Sequence, residues 1–316
     1  MRQAILFLLF FIAAAGAAGA YEEERELEAG AYDDYVELMS SFENQSLESR
    51  LEARLYTEGG EGPLALEFEH SLESAGYEEE AEIRVTFEAL VEFVDKNGDG
   101  GFTRETDEVI QEIPLGDRGT VIYGRPALEK LTTGGSQGYK LTAGGVTPEG
   151  AGFEVSGILF STPATYGAES LSPTEMKVLV RIWNFPFEEE DSRVALRAKV
   201  YSEKGVEADG SYFYTESETS LVYFDWLGTV TSDGSAASAA VTSALSDDEW
   251  LVFVAYPRGG EVVHDPIAGV VQKGETKPAP ASAAEGKEKG GICGPTALLL
   301  LSLLPTAVYL SLKRRT

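Results

Sequence analysis

The sequence predicts an all-β protein, specifically a β-sandwich, on three observations. Apolar and polar residues alternate with period two along most of residues 47–272. β-Branched and aromatic residues crowd those runs, and clusters of Gly, Pro, Asp or Ser separate them. No helix-period pattern stands between the runs, which argues against a parallel sheet with crossover helices.

Composition narrows the function classes. The 316 residues carry 25 Lys+Arg against 53 Asp+Glu, a net charge of -28, with one cysteine and two histidines. One cysteine makes no internal disulfide, and a zinc cluster needs several Cys or His ligands. So negative a chain repels phosphate backbones, so no nucleic-acid partner is expected. At 43% hydrophobic and 10% aromatic it is too apolar for a disordered acidic chain. Four of the basic residues, Arg2, Lys313, Arg314 and Arg315, lie in the terminal segments, so residues 21–292 carry -32. The acids are mostly Glu and the amides few, a composition that leans toward a hot-environment organism.

Residues 1–20 read as a secretion signal: Arg2, the apolar run Ala4 to Ile12, then small residues ending Ala18-Gly19-Ala20 before Tyr21. A retained anchor is the alternative, but the apolar core is short for a span. Residues 21–46 form a Glu-rich N-terminal arm with scattered Leu27, Tyr32, Tyr35, Val36, Leu38 and Met39, compatible with a short helix or a frayed arm. Asn44-Gln45-Ser46 is a sequon that makes Asn44 a glycosylation candidate.

Residues 47–272 form the sandwich body. Leu47, Leu51 and Leu55 face one way, although their spacing of four also suits a helix. Leu64, Leu66 and Phe68 alternate with Ala65, Glu67 and Glu69, and Ile83, Val85 and Phe87 with Glu82, Arg84 and Thr86. Further strands are expected at Val109–Pro114, Tyr139–Ala143, Gly152–Phe160, Met176–Trp183, Val194–Tyr201, Ser220–Trp226 and Trp250–Tyr256. One continuous body is favoured, with 161–174 as the candidate boundary if it divides in two.

The sharpest internal motif runs from Asp95 to Glu108. Asp95, Asn97 and Asp99 place oxygens at alternate turn positions, and Gly100 permits the bend, as a calcium ion with six to eight oxygen ligands requires. The Gly101 carbonyl adds a ligand, and Asp107 or Glu108 would close the shell. This stretch resembles the calcium loops of EF-hand and dockerin proteins. Thr106 stands where the EF-hand places its bidentate Glu, and the flanks read as strands, so a clamped strand–loop–strand with structural Ca2+ is expected. The alternative is an Asx-rich turn with no ion.

No set of catalytic residues is expected. Gly134-Gly135-Ser136-Gln137-Gly138 matches a nucleophile elbow, with Asp225 and His264 following in hydrolase order, but the strand–turn–helix setting is missing. A hairpin loop accounts for it better. His264 reads as a surface residue in the His264-Asp265-Pro266 turn, and His70 as packed or solvent-facing. The aromatic groups Trp183 to Phe187 and Tyr212 to Tyr214 suit core or edge packing before sugar stacking.

Residues 273–291, rich in Pro, Ala, Gly, Lys and Glu, read as a disordered spacer. Residues 292–316 carry Cys293-Gly294-Pro295, a charge-free stretch from Thr296 to Leu312 broken by Pro305, and the basic end Lys313-Arg314-Arg315. A basic cytoplasmic end leaves the body outside. This tail resembles the archaeal C-terminal sorting signal known as CGP-CTERM. The resemblance implies processing at the cell surface, with Cys293 as the lipid-attachment candidate and Gly294 and Pro295 as its sorting motif. A plain tail anchor is the alternative.

These features lead to the expectation of a non-enzymatic, calcium-stabilised sandwich on the extracellular face of the membrane. It would be held by tail or lipid and act in envelope structure, adhesion or ligand binding, with envelope proteins or glycans as partners. A carboxylate-based, glycosidase-like extracellular hydrolase is the alternative.

Overall fold

The computed structural model describes residues 25–273, apart from 45, 58–61, 75, 117–119, 168 and 247. All of them lie in one compact unit, Met1–Ala283. The signal-like residues 1–20, the spacer from 274 onward and the tail with Cys293, Gly294 and Pro295 lie outside the described residues.

The described chain is all-β and antiparallel, with no helix among the described residues. A meander opens it: β1 (Glu26–Ala31), β2 (Tyr35–Glu43), β3 (Leu47–Thr57), β4 (Leu64–Ser74) and β5 (Tyr77–Val94). There follow β6 (Glu108–Pro114), β7 (Ile122–Tyr123), β8 (Ala127–Thr133), β9 (Ser136–Val146), β10 (Gly152–Phe160), β11 (Ala164–Tyr166), β12 (Glu169–Leu171), β13 (Glu175–Trp183) and β14 (Arg193–Tyr201). The last are β15 (Glu207–Asp209), β16 (Tyr212–Glu216), β17 (Ser220–Asp225), β18 (Val230–Ser232), β19 (Ser235–Ala237), β20 (Ala240–Ser246), β21 (Glu249–Tyr256), β22 (Glu261–His264) and β23 (Ile267–Gln272).

One sheet runs β1-β2-β3-β4-β5-β14-β21-β20, with β6 also on β5. The second runs β15-β16-β17-β23-β13-β10-β9-β7, with β8 on β9, β22 on β13, and β18 carrying β19 on β22. Side chains of both sheets meet in one buried core, including Leu51, Leu55, Phe68, Val85 and Phe87 from the first and Phe153, Val155, Val178, Val180 and Phe224 from the second. That arrangement is sandwich-like, and each such side chain contributes about 1.5–3 kcal/mol through burial.

The Glu-rich arm is corrected: its described part forms β1 and β2. Val36, Leu38 and Phe42 are buried at alternate positions, and all nine residues of β2 pair with β3. Tyr35 and Met39 on the opposite face obscure the period in the sequence. Residues 161–174 hold the β11–β12 hairpin, whose Ala164 and Leu171 pack on Ile158 and Phe160. Strands before and after that segment pair in both sheets, β5 with β14 and β10 with β13.

β5 changes faces midway. Ala81, Ile83, Val85 and Phe87 point into the main core, whereas Ala89, Val91 and Phe93 join a second cluster with Phe102 and Phe253. The register with β14 slips at this point, where Phe87 and Ala89 have consecutive partners and Glu88 has none. An extra residue in a period-two strand turns every later side chain over. The second cluster is what seats the loop after β5.

Candidate functional site

The candidate calcium loop joins β5 to β6, which pair with each other. Gly98 and Gly100 take φ of 72° and 84°, left-handed values that L side chains rarely adopt. Asp95 Oδ1 accepts from the Gly98 N–H at 2.7 Å and Oδ2 from the Gly100 N–H at 2.8 Å. Asn97 Oδ1 accepts from the Asp99 N–H at 2.9 Å, and Asp99 Oδ1 from the Gly101 N–H at 2.8 Å. Asp107, buried, accepts the Lys96 N–H at 3.0 Å on one oxygen and the Thr103 N–H at 2.7 Å on the other. It therefore clasps the two ends of the loop. Phe102 anchors the middle, with ring centroids 5.0 Å from Phe93 and 4.7 Å from Phe253.

Asp95, Asn97 and Asp99 thus curl their oxygens around one turn, with the Gly101 backbone beside them. A carboxylate oxygen has about two acceptor directions, so an N–H bond leaves capacity for a cation. Glu108 points elsewhere: its carboxylate pairs with Lys96 Nζ at 2.8 Å and is well exposed. The Arg193 guanidinium lies 4.0 Å from Asp95 Oδ2 and partly balances its charge. Among the described residues no group of three or more His, Cys, Asp or Glu side chains gathers as a metal site.

Ser136, Asp225 and His264 each have other partners. Ser136 Oγ bonds with Thr162 and with the Pro163 carbonyl. Asp225 Oδ1 accepts from Ser211 Oγ and the Leu227 N–H. Gly134 and Gly135, with φ of 58° and 93°, form the β8–β9 hairpin turn. His264 is corrected: it ends β22, buried at 1% exposure, with Nδ1 3.0 Å from the Tyr256 hydroxyl and its ring stacked on Trp226. His70 is equally buried on β4, between Ser49 Oγ at 3.3 Å and Ser220 Oγ at 3.1 Å. Burial pushes both imidazoles down to about 4, with Arg25 adding to the effect at His70. Asn44 is exposed in the β2–β3 turn.

Sequence reasoning missed the buried charges. Among the described residues four carboxylates are buried, Glu79, Glu92, Asp107 and Asp225, and each holds a loop. Glu92 accepts from the N–H groups of Glu188 and Glu189, from Ser192 Oγ and from Gln111 Nε2. Burial pushes its carboxyl up, but these donors outweigh burial and hold it below the usual range. Glu79 accepts from the Thr219 N–H and hydroxyl and the Tyr77 hydroxyl. Arg25, also buried, bonds Ser40 and Ser49 and stitches β1 to β2 and β3. Glu92 had a signal, a lone acid inside the apolar run Ala89 to Val94; Glu79 and Arg25, among other charged residues, had none.

Surface grooves lie elsewhere. One of about 460 Å³ runs over Gly144, Gly145, Ile122, Val146 and Trp183, with Arg125 and Glu154 at its rim. Another of about 550 Å³ lies along Glu26 and Glu28 beside Gln137 and Tyr139. None of the four buried carboxylates lines either groove. Trp183 lies over Gly152, with the Arg181 guanidinium 5.0 Å from its ring centroid. Tyr212 stacks on Tyr223 at 5.1 Å in an outer cluster of the second sheet. No known protein family matches this chain, and comparison with curated proteins finds no relative.

Proposed function

We propose that this protein is a non-enzymatic, calcium-stabilised β-sandwich held on the extracellular face of the cell membrane, with an envelope structural, adhesive or ligand-binding role. The observation that carries this reading is the commitment of Glu79, Glu92, Asp107 and Asp225 to loop donors, away from both grooves. A glycosidase-like site needs two carboxylates facing a substrate across a cleft. Here the buried acids hold backbone, one groove's Glu26 and Glu28 sit together on β1, and the other groove carries Glu154 alone. The signal-like residues 1–20 and the tail at Cys293-Gly294-Pro295 support export and anchoring. Calcium would sit at Asp95, Asn97, Asp99 and the Gly101 carbonyl, with Asp107 fixing the loop ends. An ion bound only by the folded state stabilises it, and Asn44 would carry a glycan outside the cell.

Two measurements on the protein isolated from its native membrane test this. Thermal melting with calcium and with a chelator should differ, and identical melts overturn the calcium assignment. Mass spectrometry should find an N-terminus near Tyr21 and a modified Cys293. An unmodified peptide running through Cys293 to Thr316 overturns lipid anchoring. Turnover of polysaccharide that Glu92→Gln abolishes without lowering the melting temperature would overturn the non-enzymatic reading.

A further inference from the structure

β20 is an edge strand whose seven residues all pair with β21 on one side, while no described strand pairs with it on the other. An edge exposes a row of backbone N–H and C=O groups, and proteins usually guard such rows with charge, proline, bulges or brevity. The other edges follow that rule. β1 carries Glu26 and Glu28, β6 carries Glu108, Glu112 and Pro114, and β8 carries Glu129 and Lys130. β7, β15 and β19 have only two or three residues. β20 has none of these guards. The thirteen residues from Gly234 to Ser246 contain no charge in a chain of -28. Ser243, Ala244, Leu245 and Ser246 are exposed, and Leu245 at 60% is among the most exposed large apolar side chains described. The strand is also held in place, because Thr242 Oγ1 donates to the Phe102 carbonyl at 2.6 Å.

We propose that β20 pairs edge to edge with β20 of a second copy of this chain, antiparallel about a two-fold axis at Ser243. The charge pattern selects this occupant. Two such acidic bodies repel, and salt screens that repulsion beyond about 8 Å, so the charges lining the seam itself decide contact. The β1 and β6 edges would bring carboxylates against carboxylates, and β8 carries charges of both signs, whereas β20 carries none. With Ser243 opposite itself, Val241 faces Leu245 of the second copy and Thr242 faces Ala244, a self-complementary interface of the kind two-fold dimers require. The exposed Leu245 gains an apolar neighbour, and the first sheets of the two copies become continuous.

The test uses the full-length protein in detergent. Sedimentation across the micromolar range should show a reversible dimer. Ser243→Glu sets two carboxylates directly opposite and should weaken the dimer at least about tenfold while the circular dichroism and melt stay unchanged. A second variant does not depend on the charged substitution folding. Ser243→Cys in a Cys293→Ser background should oxidise to a covalent dimer, because opposed positions lie about 4.5–5.5 Å apart between Cβ atoms. Thr132→Cys on the exposed edge of β8 should not. A monomer at all concentrations, a dimer indifferent to Ser243→Glu, or equal cross-linking at both positions overturns the proposal.

Discussion

Glu69 on β4 stands directly opposite Glu82 on β5, and Glu52 on β3 stands opposite Glu69 on its other side. Three carboxylates therefore cross adjacent strands in one row on the outer face of the first sheet. Nearby, Arg54 engages Glu52 and Glu67, and Arg84 engages Glu67 and Glu82. Burial, then Glu80, Glu52, Glu82 and Glu67, push the Glu69 carboxyl up to about 7. Its proton is thus held more tightly in the folded state than in the unfolded one. The stabilisation from this protonation is complete below the unfolded value of 4.5 and is lost as pH rises through about 7. Glu69→Gln should raise stability by about 1 kcal/mol above that pH and leave it unchanged in acid, read from denaturant melts at both ends.

His264 and Tyr256 make the opposite pH prediction. The imidazole is buried neutral, so its contribution is present above 6.5 and is lost as pH falls toward about 4. His70 acts in the same direction. Melting temperature should fall across that window, and by less in His264→Phe. That variant leaves the fully buried Tyr256 hydroxyl without its Nδ1 partner, which costs about 1–3 kcal/mol at neutral pH. Adding Tyr256→Phe should recover most of the loss, and a double-mutant cycle with no coupling would contradict the pairing.

Glu92 clasps the loop that leads into β14. Glu92→Ala strips partners from the N–H groups of Glu188 and Glu189 and from Ser192, and should cost roughly 3 kcal/mol. Hydrogen exchange should quicken first at residues 188–192, ahead of the two sheets. Uniform acceleration across the chain would contradict a local clasp.

Gly152 gives the surface prediction. A Cβ there would clash with the Trp183 ring, so Gly152→Ala must lift the indole and part it from Arg181. The expected cost is about 1 kcal/mol, with a red-shifted tryptophan emission as the ring enters water.

Strand positions were legible where one face is buried and the other wet. Gly152–Phe160 matches β10 end to end, and β13, β14, β17 and β21 fall within a residue of their expected bounds. β2 was hidden because Tyr35 and Met39 face outward. β20 was hidden because its small uncharged residues carry almost no alternation. The strands flanking the Asp95–Glu108 loop were also legible, from the period on either side.

By itself the sequence determined the fold class, the acidity of the body and the Asx-Gly turn after β5. Those are local properties: period, propensity, turn chemistry and charge. Only the tertiary structure decided which charges are buried and what they hold. A glutamate in sequence looks the same whether it covers a strand face, like Glu69, or closes a distant loop, like Glu92. The difference comes from donors nearly a hundred residues away, brought into reach when β14 pairs with β5. The same holds for β20, whose bare edge exists only because β21 takes one side of it and nothing described takes the other.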